Sequence, residues 1–331
     1  MVMTIYHAGG TADTGELING AYESTDYGNA GQNRGCIYVD SSRGYRIRCL
    51  DPSTGQPTSV TKAWFHWAWG TGYSYQDQAV WQFANADGVQ ILRAMTQSGS
   101  RRDWHLGMQY FNGSTWVTIP GLQYQNPGDG GKTMDTLIDM EAGRIEIYQN
   151  GVLMTATDIS AIVGMNIASV YLTNGSYDRY AYFQTLIASG ESTIGCNVRT
   201  RYAVAAGTDT AWTGTFADVD EYPYNDGDYI TAANAGDKES FIANNLPALP
   251  VGNEVKGVVI AARFRNNGGT PGNIRPYLFI GEIRYPAANF PNASMGWTAG
   301  VTVFSKNPAT NDAWGKDINT VNVQFGIEAT E

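Results

Sequence analysis

The sequence predicts an all-β protein: two antiparallel β-sandwich domains, the first a lectin-like jelly roll, the second smaller. Three observations carry this. Charged residues are only 16% of the chain, while Gly numbers 39 and Tyr 20, a composition of turns and pleated surfaces rather than helices. Short runs alternating apolar and polar residues recur along the chain, each closed by a turn signal. A length of 331 residues suggests two domains, and a hydrophobic fraction of 43% is enough to fill two ordinary cores.

Residues 1–35 are rich in Gly and turns, with a first strand at Met3-Thr4-Ile5-Tyr6. Residues 36–40 and 45–50 read as strands joined by Ser41-Ser42-Arg43-Gly44. The second puts Tyr45, Ile47 and Cys49 on one face and Arg46 and Arg48 on the other. In Ala63-Trp64-Phe65-His66-Trp67-Ala68-Trp69, rings occupy both faces of one strand. Residues 79–84 and 89–95 flank a turn at Asn85-Ala86-Asp87-Gly88. Residues 104–111 and 116–120 flank Asn112-Gly113-Ser114. Residues 136–141 lead through Ala142-Gly143 into the clearest hairpin, Arg144-Ile145-Glu146-Ile147-Tyr148-Gln149-Asn150-Gly151-Val152-Leu153-Met154. Asn and Gly tolerate the positive φ angles of a tight primed turn, which makes Asn150-Gly151 its tip. Strands at 168–173 and 180–187 bring the first domain to about ten strands, the density of a two-sheet jelly roll.

Small, polar and Gly-containing residues make 188–200 a linker between domains at 1–187 and 201–331. A crossing strand is expected over 196–204 and a long acidic loop over 218–230. Strands follow at 239–242, 255–265, 273–280, 300–305 and 321–328, with one helical turn near 237–244.

Several function classes have no support. A net charge of −10 argues against a nucleic-acid binder, which needs a basic face. Three Cys, at 36, 49 and 196, are an odd count without CxxC spacing, so reduced thiols are expected; a single Cys36–Cys49 bridge is the alternative. The first residues lack the basic and apolar regions of a signal peptide, and no apolar run approaches the ~20 residues of a membrane span. No Gly-rich loop joins a strand to a helix, so nucleotide binding is not expected.

Three patterns together resemble a known class. Leu137-Ile138-Asp139-Met140-Glu141 followed by Gly143-Arg144-Ile145-Glu146-Ile147-Tyr148-Gln149-Asn150-Gly151 resembles the late strands of concanavalin-A-like (laminin-G-like) sandwiches. The stretch 182–195, then Gly207-Thr208-Asp209-Thr210-Ala211-Trp212-Thr213 and Val219-Asp220-Glu221, resembles the join in tailed-phage virion proteins that pair such a domain with a C-terminal β-domain. Ala262-Arg263, Gly269-Thr270-Pro271, Asn307-Pro308-Ala309-Thr310, Trp314 and Gln324-Phe325-Gly326-Ile327-Glu328 look like that same C-terminal module. The resemblance spans roughly 130–331. It implies a structural component of a tailed-phage particle, a head decoration or fibre protein ahead of a tail protein. That component would work through contacts with other capsid or tail subunits and assemble as a homo-oligomer, a trimer being the expected form.

The candidate sites divide by chemistry. Some lectin-like sandwiches are glycosidases with two carboxylates about 5–5.5 Å apart, in a motif resembling Glu-apolar-Asp-apolar-Glu. Here Leu137 stands where the nucleophile belongs, so no enzyme is expected. Trp64, Trp67, Trp69, Tyr73, Tyr75 and Trp81 could stack on a host-surface glycan or a protein partner, or simply fill a core. Asp218, Asp220, Glu221, Asn225, Asp226 and Asp228 offer hard oxygen ligands for calcium, with Asp220, Glu221, Asp226 and Asp228 the named set; the alternative is a solvated acidic loop and no cofactor. His7, His66 and His105 lie in no nucleophile motif.

Overall fold

The computed structural model describes residues 2–9, 11, 14–19, 21–24, 36–40, 43–71, 78–97, 105–120, 124–125, 132–173, 181–221, 224–290, 295–316, 318 and 323–331. Two compact units emerge. One holds Tyr6–Leu50 and Pro57–Val198. The other holds Met1–Ile5, Asp51–Gln56 and Arg199–Glu331. The architecture is all-β, as the composition predicts, with several antiparallel sheets forming sandwich-like domains.

The first unit begins with β1 (Ile5–Gly9), from Tyr6 on, then β2 (Glu16–Ile18), β3 (Tyr22–Ser24), β4 (Cys36–Val39) and β5 (Gly44–Arg48). Next come β6 (Lys62–Thr71), β7 (Ala79–Ala84), β8 (Gln90–Gln97), β9 (His105–Phe111), β10 (Trp116–Thr118) and β11 (Tyr124–Gln125). It finishes with β12 (Lys132–Asp139), β13 (Arg144–Gln149), β14 (Val152–Asp158), β15 (Ser169–Leu172) and β16 (Ala181–Ser189). These strands form two eight-stranded sheets. One runs β14-β13-β12-β6-β16-β4-β3, with β1 also on β16. The other runs β10-β9-β8-β7-β15-β5-β2, with β11 also on β9. Consecutive β4 and β5 therefore belong to different sheets and do not pair as a hairpin.

Period-two alternation decides what lies between the sheets. Phe65, Trp67 and Trp69 of β6 share one face with Met134, Thr136 and Ile138 of β12 and Ile145 and Ile147 of β13, and all are buried. From the other sheet come Trp81, Phe83, Leu92, Ala94, Leu106 and Met108. Rings interlock across the gap. Trp67 and Trp69 meet Trp81 edge-on at 5.0 and 5.2 Å, and Phe65 meets Phe83 at 5.0 Å. Such pairs add about 0.5–1.5 kcal/mol each beyond area burial.

The Asn150-Gly151 tip forms as expected. Gln149 pairs with Val152, leaving a two-residue loop with φ of 50° and 77°. The turns after β7 and β9 are tied by side chains. Asn85 Oδ1 accepts the Asp87 and Val89 N–H groups, and Asn112 Oδ1 accepts those of Ser114 and Thr115.

The second unit contains β17 (Ala203–Thr210), β18 (Lys238–Ala243), β19 (Val258–Phe264), β20 (Asn273–Ile280), β21 (Ile283–Pro286), β22 (Thr298–Phe304) and β23 (Val323–Thr330). Five form a sheet in the order β17-β18-β23-β20-β21, and β19 pairs with β22. Ile260, Leu278, Ile280 and Trp314 make one apolar cluster, and Phe264, Ile274 and Phe290 another. Gly300 is required beneath the Phe290 ring, because a Cβ there would fall 2.4 Å from Phe290 Cγ. Two expectations are corrected here. The helical turn expected near 237–244 is absent: Lys238–Ala243 form β18, whose backbone is paired on both edges by β17 and β23. The strand expected over 196–204 begins only at Ala203. All three cysteines are free, Cys36 and Cys49 being buried.

Candidate binding site

The second unit builds its site around the end of β19. Phe264 turns into the core against Ile274 and Phe290. Alternation sends its neighbours Arg263 and Arg265 the other way. The register of β19 and β22 pairs Phe264 with Thr298, which brings Trp297 beside the arginines. The Arg265 guanidinium lies 4.8 Å from the Trp297 ring centroid and 5.4 Å from that of Tyr229. Arg263 lies 4.4 Å over Tyr224 and 5.8 Å from Trp297. Tyr229 and Trp297 meet edge to face, with centroids 6.0 Å apart and planes at 67°. Each cation–ring contact of this kind contributes about 0.5–1 kcal/mol at an exposed site.

The two arginines differ in charge balance. Asp226 grips Arg263 in a bidentate pair, Nε to Oδ1 at 2.6 Å and Nη2 to Oδ2 at 2.9 Å. Arg265 is exposed, and among the described residues no carboxylate pairs with it. In front of these groups opens a cleft of about 210 Å³, lined among others by Tyr229, Trp297, Arg265, Asn267, Pro271 and Trp212. Asn266 shapes one wall: its Oδ1 accepts the Gly268 and Gly269 N–H groups and curls the loop over. No Asp, Glu, His or Cys is among the lining residues. Chemically the cleft offers ring faces, amides and a cation; it offers no carboxylate pair for general acid–base work.

The acidic loop expected to hold calcium supplies Tyr224, Asp226 and Tyr229 to this site, so the Asp226 carboxylate is spent on Arg263. Asp218 accepts the N–H and hydroxyl of Thr215 and closes a 3₁₀ turn at Phe216–Asp218. Burial pushes the Glu221 carboxyl above its ordinary value, and the neighbouring Asp228 and Asp220 charges push the same way. Among the described residues, no three His, Cys, Asp or Glu side chains gather where they could hold a metal ion.

The aromatic stretch of the first unit goes elsewhere. Trp67, Trp69 and Trp81 are at most 2% exposed and fill the core, out of reach of a sugar or a partner. They lie on the inner faces of both sheets, where burying a large ring gains most. Trp64, on the outer face, is half-buried against Tyr148 at 5.6 Å. Tyr73 and Tyr75 lie outside the described residues.

On that same outer face stands the glycosidase-like stretch. Leu137 sits between Trp64 and Glu146 on the neighbouring strands. Asp139 takes the Lys62 ammonium at 2.7 Å and the N–H groups of Glu141 and Ala142. Burial raises its pKa, but these partners outweigh burial and hold the carboxyl below its ordinary value. A general acid needs the opposite shift. Glu141 accepts the Thr61 hydroxyl at 2.6 Å.

On this face too, Asp135 Oδ1 takes His66 Nδ1 at 2.8 Å and the Thr193 hydroxyl at 2.7 Å, with all three side chains buried. No serine or cysteine hydrogen-bonds to His66 among the described residues, and the three groups tie the 189–195 segment to β12.

No family model matches the chain, and no curated protein matches it. Among solved structures it is similar to a cellulose-induced protein, Cip1, at 12% identity over 54% of this chain and 91% of that one, with a TM-score of 0.41. It is also similar to the globular domain of T. cruzi calreticulin, at 6% identity over 57% and 89%, with a TM-score of 0.42. A third is domain 4 of AbnA, an extracellular arabinanase from Geobacillus stearothermophilus, solved with arabinotriose: 12% identity over 58% and 95%, TM-score 0.38. Likenesses this distant say nothing about ligand or activity.

Proposed function

We propose that this chain is a non-enzymatic carbohydrate-binding protein that takes a surface glycan in the Tyr229–Trp297 cleft of its second unit. The single observation that carries this is the edge-to-face ring pair bordering a cleft lined by amides and a cation but by no carboxylate. Amphipathic rings stack on the C–H faces of a sugar, and nearby amides read its hydroxyls. A glycan array probed with the full chain and with Tyr229→Ala and Trp297→Ala is the test. Binding that both substitutions abolish is expected; silence on the array, or binding indifferent to both, refutes the assignment.

A second reading is a structural component of a tailed-phage particle that works through protein contacts, with a head decoration or fibre location and a trimer as its expected form. One observation favours it. β14 is an edge strand on which Val152, Leu153 and Met154 are 64%, 49% and 39% exposed, with Ile194 beside the Gly151 turn. Unpaired apolar edges invite strand-to-strand association, here with a second copy of this chain. Light scattering on the native chain should give a multiple of the 35.9 kDa monomer, reduced by Leu153→Glu. A monomer at all concentrations ends this reading.

A further inference from the structure

We propose, resting on the saccharide assignment above, that the sugar this cleft accepts carries a carboxylate, and that Arg265 reads it. The chain as a whole is acidic, at net −10, yet the cleft contains two arginines and no lining carboxylate. One of the two is already neutralised, since Asp226 occupies both Nε and Nη2 of Arg263. The other is held between two aromatic rings with no acidic partner among the described residues.

That arrangement suits an anion. The rings lie 4.8 and 5.4 Å from the guanidinium carbon, and among the described residues no hydrogen bond takes up its N–H edge. The planar fork of that edge matches a carboxylate in a two-bond contact that a lysine ammonium cannot reproduce. A neutral sugar seated here would shield Arg265 from water and offer no counter-charge, a net cost. A carboxylated sugar supplies that charge while its ring lies on Trp297 or Tyr229. Asp226 then has a defined role. It locks Arg263, so that a single cation faces the ligand and the site takes one acidic group rather than a polyanion.

The test uses the full chain on an array containing neutral, sulfated and carboxylated glycans, the last bearing uronate or sialate. Calorimetry of the strongest carboxylated member and of its methyl ester follows, for the native chain, Arg265→Gln and Arg265→Lys. Carboxylated members should dominate. Esterification and Arg265→Gln should each weaken binding about tenfold, the size of one solvent-facing charge-assisted contact, with partial recovery in Arg265→Lys. Circular dichroism confirms that the exposed substitutions leave the fold intact. Binding confined to neutral members, or equal binding of acid and ester, overturns the carboxylate and leaves the saccharide assignment standing. Equal binding of sulfated members also overturns it, in favour of a general anion site. Binding to no member removes both.

Discussion

Trp297→Ala tests the construction of the cleft most directly, because one indole holds three groups at once. It receives Arg265 at 4.8 Å and Arg263 at 5.8 Å, and it meets the Tyr229 ring at 6.0 Å. Two exposed cation–ring contacts and one ring pair are together worth about 2 kcal/mol, after allowing for the longer of the two cation distances. Spread over a unit of this size, that loss should lower the transition of the second unit by about 4–8 °C. Binding should suffer more than stability, since alanine removes the stacking surface and frees the Arg265 side chain to wander. Scanning calorimetry and glycan titration on one preparation read both effects. Trp297→Phe keeps a ring and should recover part of each. An alanine variant with unchanged melting and unchanged binding would show that the indole organises nothing here.

Other outcomes follow from groups outside the cleft. His7 is buried, its Nε2 has no hydrogen-bond partner among the described residues, and burial holds its pKa down to about 4 from 6.5. The folded state therefore keeps His7 neutral, so its contribution to stability is complete above about pH 6.5. It is lost as pH falls towards 4, in all about 3 kcal/mol. Urea unfolding across that window should show a steeper loss in the native chain than in His7→Gln; identical slopes would remove His7 as the cause. Gly143, at φ 63°, leaves a Cβ only 2.9 Å from Ser160 Cα, so Gly143→Ala should cost the first unit about 1–3 kcal/mol in chemical denaturation. No loss there would mean the 140–143 turn relaxes freely.

The sheets were more legible in the sequence than the site. Alternation located β5 and β13 because each buries one face, and Asn150-Gly151 announced its own turn chemistry. Strands β2, β3, β11 and β21 went unseen: at two to four residues they are too short for a period to register. At 237–244, cross-strand pairing decided in favour of strand where the local sequence suggested a helical turn. The richest aromatic stretch drew attention as a binding surface, yet composition cannot tell an inward ring from an outward one. The cleft was missed because Tyr229, Arg265 and Trp297 are far apart in sequence: the β19–β22 register brings Trp297 to Arg265, and Tyr229 arrives from the separate acidic loop. One local signal was available: Arg263-Phe264-Arg265, two cations flanking an inward ring in an acidic chain.

β16 has a consequence of a different kind. All nine of its residues are buried, and it lies inside its sheet between β6 and β4, with β1 also paired to it. A chain made from its N-terminus has synthesised β1, β4 and β6 long before the strand that must lie between them exists. Until residue 189 has left the ribosome, that sheet is three pieces, β14-β13-β12-β6, β4-β3 and β1, with unpaired edges, β6 carrying Phe65, Trp67 and Trp69 on one face. Closure through such distant pairings is slow and leaves apolar edges exposed meanwhile. The yield of folded protein should therefore depend on what shields the nascent β6 during that interval, whatever the finished molecule binds.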